Sequence, residues 1–150
     1  MTNEEKQLLI KDLTSRLPYI TYYDLSYYGY TTRAIIQEFI PAKELLQSLV
    51  KFNTVAEPIS YENAKPYLRQ MFSITNEEFQ FLQENIPYDF TRIYSNEFNL
   101  FDDIHLGNTI FIDDVAFLLD TLNKWHLDYR GLIKMGLALP APEGMYVIIS

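Results

Sequence analysis

The amino-acid sequence predicts an α+β fold in which a small, mostly antiparallel sheet is flanked by N- and C-terminal helices. Helical patterns with clear start signals lie towards both ends, whereas the stretch from Tyr19 to Ile40 is rich in β-branched and aromatic residues. The strand-like segments follow each other too closely for helical crossovers between all of them. Helices that bracket such a stretch therefore favour an antiparallel sheet with helices packed on it.

The first helix is predicted from its start signal and its apolar spacing. Thr2 and Glu5 have the spacing of a capping box, in which each side chain bonds the backbone N–H of the other residue. Pro18 is expected to end the helix, because the residue before a proline is pushed out of the α region. The residues expected to share one buried face are Leu9, Ile10, Leu13 and Leu17.

Three more helical segments are predicted in the second half. Thr75 and Glu78 form a second capping box, and Pro87 marks the limit of the helix that follows. Asp113-Asp114 is expected to cap the clearest helix, with Val115, Leu118, Leu119, Leu122 and Trp125 at helical spacing. A short helix from Tyr129 to Met135 is closed by Gly136.

The segments between these helices are predicted to be strands and turns. Tyr19–Tyr23 and Tyr27–Thr32 are expected to be strands with a turn at Asp24–Ser26, and Ala34–Ile40 continues the pattern up to Pro41. Glu44–Phe52 fits either a helix or a strand. The remaining expectations are extended backbone at Thr54–Ile59, a turn or helical piece at Tyr61–Leu68, strand-like backbone at Phe90–Tyr94 and a turn at Gly107–Asn108.

Length and composition indicate one globular domain over residues 1–150. A chain of 150 residues with 48% hydrophobic residues is long enough to bury its own core. The chain has no Cys, which excludes a disulfide scaffold, a thiolate zinc site and a cysteine nucleophile. The start of the chain lacks the pattern of a signal peptide, and no segment approaches the length of a membrane span. We therefore expect a cytoplasmic protein with no membrane partner.

The excess of negative over positive charge lies in the second half of the sequence. The net charge is -8, yet the residues up to Thr75 hold eight basic and eight acidic side chains. Direct binding of that second half to nucleic acid is disfavoured, because such binding needs Lys and Arg to displace counterions from phosphates. The acidic half predicts either a solvated surface, a face that docks a basic partner or a mimic of nucleic acid.

No catalytic or cofactor motif stands out, and no cofactor or metal is predicted. The best Asp/His cluster consists of Asp102, Asp103, His105, His126 and Asp128, but its spacing matches no known ligand frame. The five glycines are scattered, so neither a phosphate loop nor a dinucleotide fingerprint is present. Helix capping accounts for the pair Asp113-Asp114 without a catalytic role.

A cluster of tyrosines is the most distinctive surface that the sequence predicts. Adjacent tyrosines on a strand point to opposite faces, so some of these rings are expected to face outward. Exposed tyrosine offers rigid contact area with a polar tip, whereas packing under the helices would make the rings part of the core. Arg130 is expected either to pair with an acidic residue nearby or to bind the carboxylate of a ligand. The predicted interaction surface is Tyr22, Tyr23, Tyr27, Tyr28, Tyr30 and Arg130.

Three segments together resemble a family of small proteins of gut anaerobes, often met in prophages and other mobile elements. They are the opening Glu4–Tyr19, the middle Lys65–Met71 with Thr75–Glu78, and the closing Leu122–Ile133, which continues through Met135–Leu139 to Ala141–Tyr146. The resemblance implies a strand-rich middle and no established activity, so it carries over no catalytic residue. Between Tyr19 and Ile59 the chain departs from the family pattern, which has Gly-Val where this sequence has Ile20-Thr21.

These observations favour a non-enzymatic interaction domain, accessory to a mobile element, that docks a protein partner. One alternative is an enzyme of unfamiliar type with an Asp/His site, and another is an acidic inhibitor that mimics nucleic acid. A homo-oligomer is also possible, because the apolar tail Val147–Ile149 can add a strand to a neighbouring chain.

Overall fold

The computed structural model describes residues 1–94, Leu100 and residues 112–146. Within these residues it contains three α-helices and two sheets whose strands pair antiparallel where register is defined, which confirms the predicted α+β fold. The helices are α1 (Asn3–Ser15), α2 (Asn76–Asn85) and α3 (Ile112–Lys124). The strands are β1 (Tyr23–Tyr27), β2 (Tyr30–Ala34), β3 (Ile36–Ile40), β4 (Leu49–Phe52), β5 (Ile59–Ser60), β6 (Ala64–Leu68) and β7 (Leu139–Pro140).

The chain divides into two compact units. The first comprises Met1–Tyr67 with Lys134–Leu139, and the second comprises Leu68–Ile133 with Pro140–Ser150. The interpretation of residues 1–150 as a single domain stays a prediction. In the part of the chain that the structure describes, no helix is long and apolar enough to cross a membrane.

In the first unit, α1 starts as predicted and ends earlier than predicted. The Thr2–Glu5 capping box is formed in both directions, and Leu9, Ile10 and Leu13 are buried. The helix ends at Ser15, so Leu17 leaves the apolar face and is 38% exposed. The prediction for Leu17 was therefore wrong, because the last residues before Pro18 form a turn instead of a helix.

Two sheets build the rest of the first unit. One has the strand order β2–β1–β6–β7, in which β1 pairs antiparallel with both β2 and β6. The other has the order β3–β4–β5, with a register shift in β3 between Ile36 and Glu38. The hydrophobic cluster of this unit joins α1 to both sheets through Leu9, Ile10, Leu13, Tyr23, Leu25, Val50, Phe52, Ile59, Tyr61 and other buried residues.

The structure corrects several expectations for the first unit. Asp24–Ser26 is the middle of β1 and not a turn. Glu44–Phe52 is resolved as a 3-10 turn at Leu45–Gln47 followed by strand β4. Thr54–Ile59 is mostly turn and bend, with only Ile59 in a strand, whereas Tyr61–Leu68 is a 3-10 turn followed by β6, in which Pro66 is accommodated.

The second unit packs α2, α3 and connecting segments around one hydrophobic cluster. The Thr75–Glu78 capping box opens α2 as predicted, and Leu82, Leu118, Leu122 and Trp125 are buried in the cluster. Asp113 and Asp114 lie in the first turn of α3 and not before it. Phe90–Tyr94 contains a 3-10 helix at Thr91–Tyr94 and no strand, and Tyr129–Met135 is a series of turns and not a helix. The predicted turn at Gly107–Asn108 and the tail Val147–Ile149 lie outside the described residues.

Candidate functional site

A tight hairpin between β1 and β2 gathers three of the predicted tyrosines at one tip. Tyr27 and Tyr30 are paired across the hairpin, so only Tyr28 and Gly29 form the turn. Both turn residues have positive φ, 47° for Tyr28 and 78° for Gly29. Two central residues with positive φ are the mark of a type I′ turn, whose twist matches that of the flanking strands. We call Tyr27–Tyr30 the tyrosine hairpin.

The conformation of Tyr28 is unusual for its residue type. Gly29 adopts positive φ without steric cost, but a tyrosine in the left-handed region brings its Cβ close to the backbone. Residues held in such sparsely populated regions cluster at functional sites. The turn thus aims a large ring outward at a position where Asn, Asp or Gly would be easier to accommodate.

The tyrosines divide between core and solvent according to their distance from the tip of the hairpin. Tyr23 is only 2% exposed and packs edge-on against Phe52, with 5.8 Å between ring centroids. Tyr23 is therefore a core residue and does not belong to the exposed surface, and Tyr22 is half-buried. By contrast, Tyr28 is 82% exposed and Tyr30 is 78% exposed. The exposed part of the predicted surface is thus the hairpin tip.

An apolar notch lies beside this tip. It has a volume of about 310 Å³ and is lined by Leu25, Tyr27, Tyr28, Tyr30, Thr32, Thr54 and Val55. Leu25 is paired with Thr32, and Tyr27 with Tyr30, so these side chains share the face of the sheet that is buried further along the hairpin. We call this pocket the hairpin notch. It continues the core-facing side of the sheet to the surface.

Tyr27 forms the wall of the notch and is held in place by two neighbours. Its hydroxyl donates a hydrogen bond to the Glu57 carboxylate, and its ring packs against that of Tyr28 with 4.4 Å between centroids. The hydrogen bond to the negatively charged Glu57 raises the pKa of the Tyr27 hydroxyl above its usual range. The bond therefore favours the protonated form of Tyr27, which donates to Glu57 beside the turn.

The opposite face of the same strands carries charges. Asp24 on β1 is paired with Arg33 on β2 and with Lys65 on β6. The Arg33 guanidinium lies over the ring of Tyr67, 5.6 Å from its centroid. This row therefore places one carboxylate between two cations, and Arg33 stands at its outer end.

Arg130 belongs to the second unit and has a packing role. It is half-buried, and its guanidinium lies 4.6 Å from the centroid of the Tyr129 ring. Tyr129 is itself buried and donates its hydroxyl hydrogen bond to Asn123 Oδ1 at 2.8 Å. The cation–π contact satisfies part of the arginine charge within the protein. Arg130 and the tyrosine hairpin thus belong to different units of the chain.

The predicted Asp/His cluster is only partly described. Asp102, Asp103 and His105 lie outside the described residues. His126 stacks on Tyr146 with ring centroids 3.8 Å apart, and Asp128 accepts hydrogen bonds from the backbone of Leu132 and Ile133. Among residues 1–94, 100 and 112–146, the structure shows no group of three or more His, Asp or Glu side chains able to hold a metal ion.

A buried polar framework in the second unit was not evident from the sequence. Arg69 and Glu78 form a two-pronged ion pair with nitrogen–oxygen distances of 2.7 and 2.9 Å, and both side chains are buried. Arg69 also donates to the carbonyl of Trp125, and the N–H of Asp128 donates to the carbonyl of Arg69. We call Arg69, Glu78 and Asp128 the polar framework. Its groups bind each other and the backbone, which indicates a structural role.

Comparison with protein-family models, with curated proteins and with solved structures finds no match to this chain. The tyrosine hairpin and its notch are therefore interpreted from their own geometry and chemistry.

Proposed function

We propose that this protein is a non-enzymatic interaction domain that binds a protein partner through the tyrosine hairpin. The observation that carries the proposal is the exposure of Tyr28 and Tyr30 on either side of Gly29, directly beside the apolar hairpin notch. A large exposed ring contributes little to the stability of its own fold, whereas tyrosine is among the residues that contribute most to binding at interfaces.

The geometry of the hairpin suits recognition of an apolar side chain. The turn leaves Tyr28 few backbone alternatives, and the bond between Tyr27 and Glu57 holds the wall of the notch. A surface that is ordered before binding loses less conformational entropy when the partner arrives. An apolar side chain placed in the notch would contact Leu25, Val55 and the tyrosine rings, which all line it.

The resemblance to small proteins of prophages and other mobile elements supports an accessory role for this binding. A mobile element needs contacts with proteins of its host cell, and a small domain whose sequence carries no known catalytic motif suits such a contact. The acidic second half supports inhibition by nucleic-acid mimicry less well, because Glu78 and Asp128 are buried and used within the fold. The Asp/His enzyme stays an untested alternative.

The test is affinity capture from a lysate of the native host, followed by calorimetry with the purified partner. Tyr28→Ser and Tyr30→Ser are expected to weaken binding by about thirtyfold each, as for a central interface tyrosine. Tyr94→Ser is the matched control, since Tyr94 is an exposed tyrosine of the second unit. A partner that binds the Tyr28 and Tyr30 variants as tightly as the wild type would contradict the proposal.

A further inference from the structure

The edge strands of the two sheets differ in how well they are protected from pairing with another chain. The edges are β2 and β7 in one sheet and β3 and β5 in the other. β7 has two residues and contains Pro140, and β5 has two residues that follow Pro58. β3 is broken by a register shift and carries Glu38. Short length, proline, bulges and charges are the devices that keep edge strands from pairing.

Strand β2 lacks most of these devices. It has five residues in continuous register with β1, no proline, and exposed side chains from Tyr30 to Arg33. Thr31 and Thr32 are β-branched, which favours the extended conformation. Among the described strands, β2 is therefore the edge that is best prepared to accept a further strand.

The backbone of β2 presents two residues to such a strand. The residues that flank a two-residue turn bond across the hairpin, so Tyr30 and Thr32 direct their N–H and C=O groups towards β1. Backbone groups alternate in direction along an antiparallel strand, so Thr31 and Arg33 direct theirs away from β1. A chain running alongside β2 would bond to Thr31 and Arg33.

The charged residues on the face opposite the notch indicate which charge the added strand should carry. The row across the sheet alternates from Lys65 through Asp24 to Arg33, which is its outer end. The next position in this alternation calls for a carboxylate, because opposite charges on neighbouring strands stabilise a sheet. The residues up to Thr75 have no net charge, so the rest of this segment does not oppose an acidic partner.

We infer that β2 binds an extended segment of the partner protein that adds a strand to the sheet, with an acidic residue beside Arg33 and apolar residues alternating on the other face. The alternating apolar side chains lie next to Tyr30 and Thr32 and fill the hairpin notch. This inference rests on the proposed function and names the chemistry of the partner. A second copy of the chain fits less well, because β2 contains no acidic residue to face Arg33.

The test uses random dodecapeptides displayed on phage, selected separately on the full-length wild type and on Arg33→Glu. The wild type is expected to enrich peptides with Asp or Glu between alternating apolar residues. Arg33→Glu is expected to enrich Lys or Arg at the same place. This charge swap needs no change to the backbone of β2, so it remains a valid readout even where a proline variant fails to fold.

The selected peptides are then synthesised and their binding is measured on Thr31→Pro and Thr31→Val. Proline removes the outward N–H of Thr31 and is tolerated at an edge strand, whereas valine keeps the N–H and removes only the hydroxyl. Thr31→Pro is expected to weaken peptide binding about tenfold, as for the loss of one hydrogen bond at an interface. Thr31→Val is expected to bind as the wild type does.

Several outcomes would overturn strand addition. They are selection that enriches no peptide, enriched peptides that show no charge swap, and peptides that bind Thr31→Pro as tightly as the wild type. A chain that is dimeric by light scattering and becomes monomeric in Thr31→Pro would also overturn it, since the occupant would then be a second copy. If the host partner depends on Tyr28 and Tyr30 but not on Thr31, strand addition fails and the proposed function stands.

Discussion

The tyrosine hairpin and the polar framework differ in how far their side chains are buried and in what those side chains bond. In the framework, Arg69 and Glu78 are sealed from solvent and bonded to each other and to backbone groups. In the hairpin, the rings of Tyr28 and Tyr30 are mostly exposed to solvent, and Tyr27 is bonded to Glu57 and packs against Tyr28. Buried charges that bond each other therefore contribute to the stability of the fold, whereas exposed rings contribute little to it and are available to bind a partner.

This difference predicts that the two regions respond oppositely to substitution. Changes in the framework should lower stability strongly, because each partner left behind is a buried and uncompensated polar group. Changes at the hairpin tip should alter stability much less, because replacing an exposed ring leaves no buried group without its partner. Binding of the partner should be weakened more by changes at the hairpin tip than by changes in the framework.

The largest effect is expected for Glu78→Ala. The substitution leaves the Arg69 guanidinium buried without its carboxylate and removes the acceptor for the N–H of Thr75 in the capping box of α2. We expect a loss of about 3–5 kcal/mol in the free energy of unfolding, as for other broken buried ion pairs. Urea denaturation followed by the fluorescence of Trp125, the single tryptophan, measures it within the second unit.

The control for this prediction is Glu77→Ala in the same turn of α2. Glu77 is exposed, so its removal should change the free energy of unfolding by less than about 1 kcal/mol. The double variant Arg69→Met with Glu78→Leu should recover part of the loss, since apolar replacement of a buried pair leaves no uncompensated charge. Equal effects of Glu77→Ala and Glu78→Ala would remove the contrast between the framework and the surface.

The sequence predicted those features whose determinants lie close together in the chain. Both capping boxes were predicted because their partners are three residues apart. The ion pair of Arg69 and Glu78 spans nine residues and is fixed by the contact of Arg69 with the segment around Leu127. No local periodicity encodes such a contact.

The hairpin turn was misplaced for a related physical reason. Asp24-Leu25-Ser26 has turn-like composition, yet Leu25 is fully buried, so packing of β1 against the core outweighs local preference there. Gly29 was the signal that could have located the turn, but the tyrosine before it is a residue that rarely occupies positive φ. The position of the exposed tip is therefore decided by which residues of β1 are buried in the core, and the tyrosine pattern alone does not indicate it.

A smaller effect, with opposite signs for stability and binding, is expected for Tyr28→Asn. Asn-Gly is the preferred pair for a type I′ turn, so the variant should gain about 0.5 kcal/mol in the free energy of unfolding. It should also bind the partner more weakly, because the exposed ring is lost. Thermal denaturation followed by circular dichroism measures the first effect, and calorimetry with the partner measures the second.

Tyr30→Asn is the matched control for Tyr28→Asn, since it also exchanges an exposed tyrosine of the tip. Tyr30 lies in strand β2, where Asn is disfavoured, so this variant should lose stability as well as binding. If both variants were more stable than the wild type, the turn conformation of Tyr28 would not be the cause of the gain in Tyr28→Asn. Unchanged binding in Tyr28→Asn would show that its ring is not a contact.

The smallest effect concerns the bond that ties Tyr27 to Glu57, which is the exposed counterpart of the buried ion pair. The raised pKa of Tyr27 means that folding favours its protonated form, so the contribution of this bond is present below the ordinary tyrosine pKa of about 10. It is lost only as the pH rises through the raised value.

Tyr27→Phe should therefore remove one tyrosine from the most alkaline part of the titration followed by tyrosinate absorbance. Glu57→Gln removes the charge that raises this pKa, so it should move the same transition to lower pH while all tyrosines remain. Near neutral pH both variants should unfold close to the wild-type midpoint, because the bond lies at the exposed tip. If Tyr27→Phe instead removes absorbance near the ordinary tyrosine pKa of about 10 and Glu57→Gln leaves the titration unchanged, Tyr27 is not held by Glu57 and the wall of the notch needs another support.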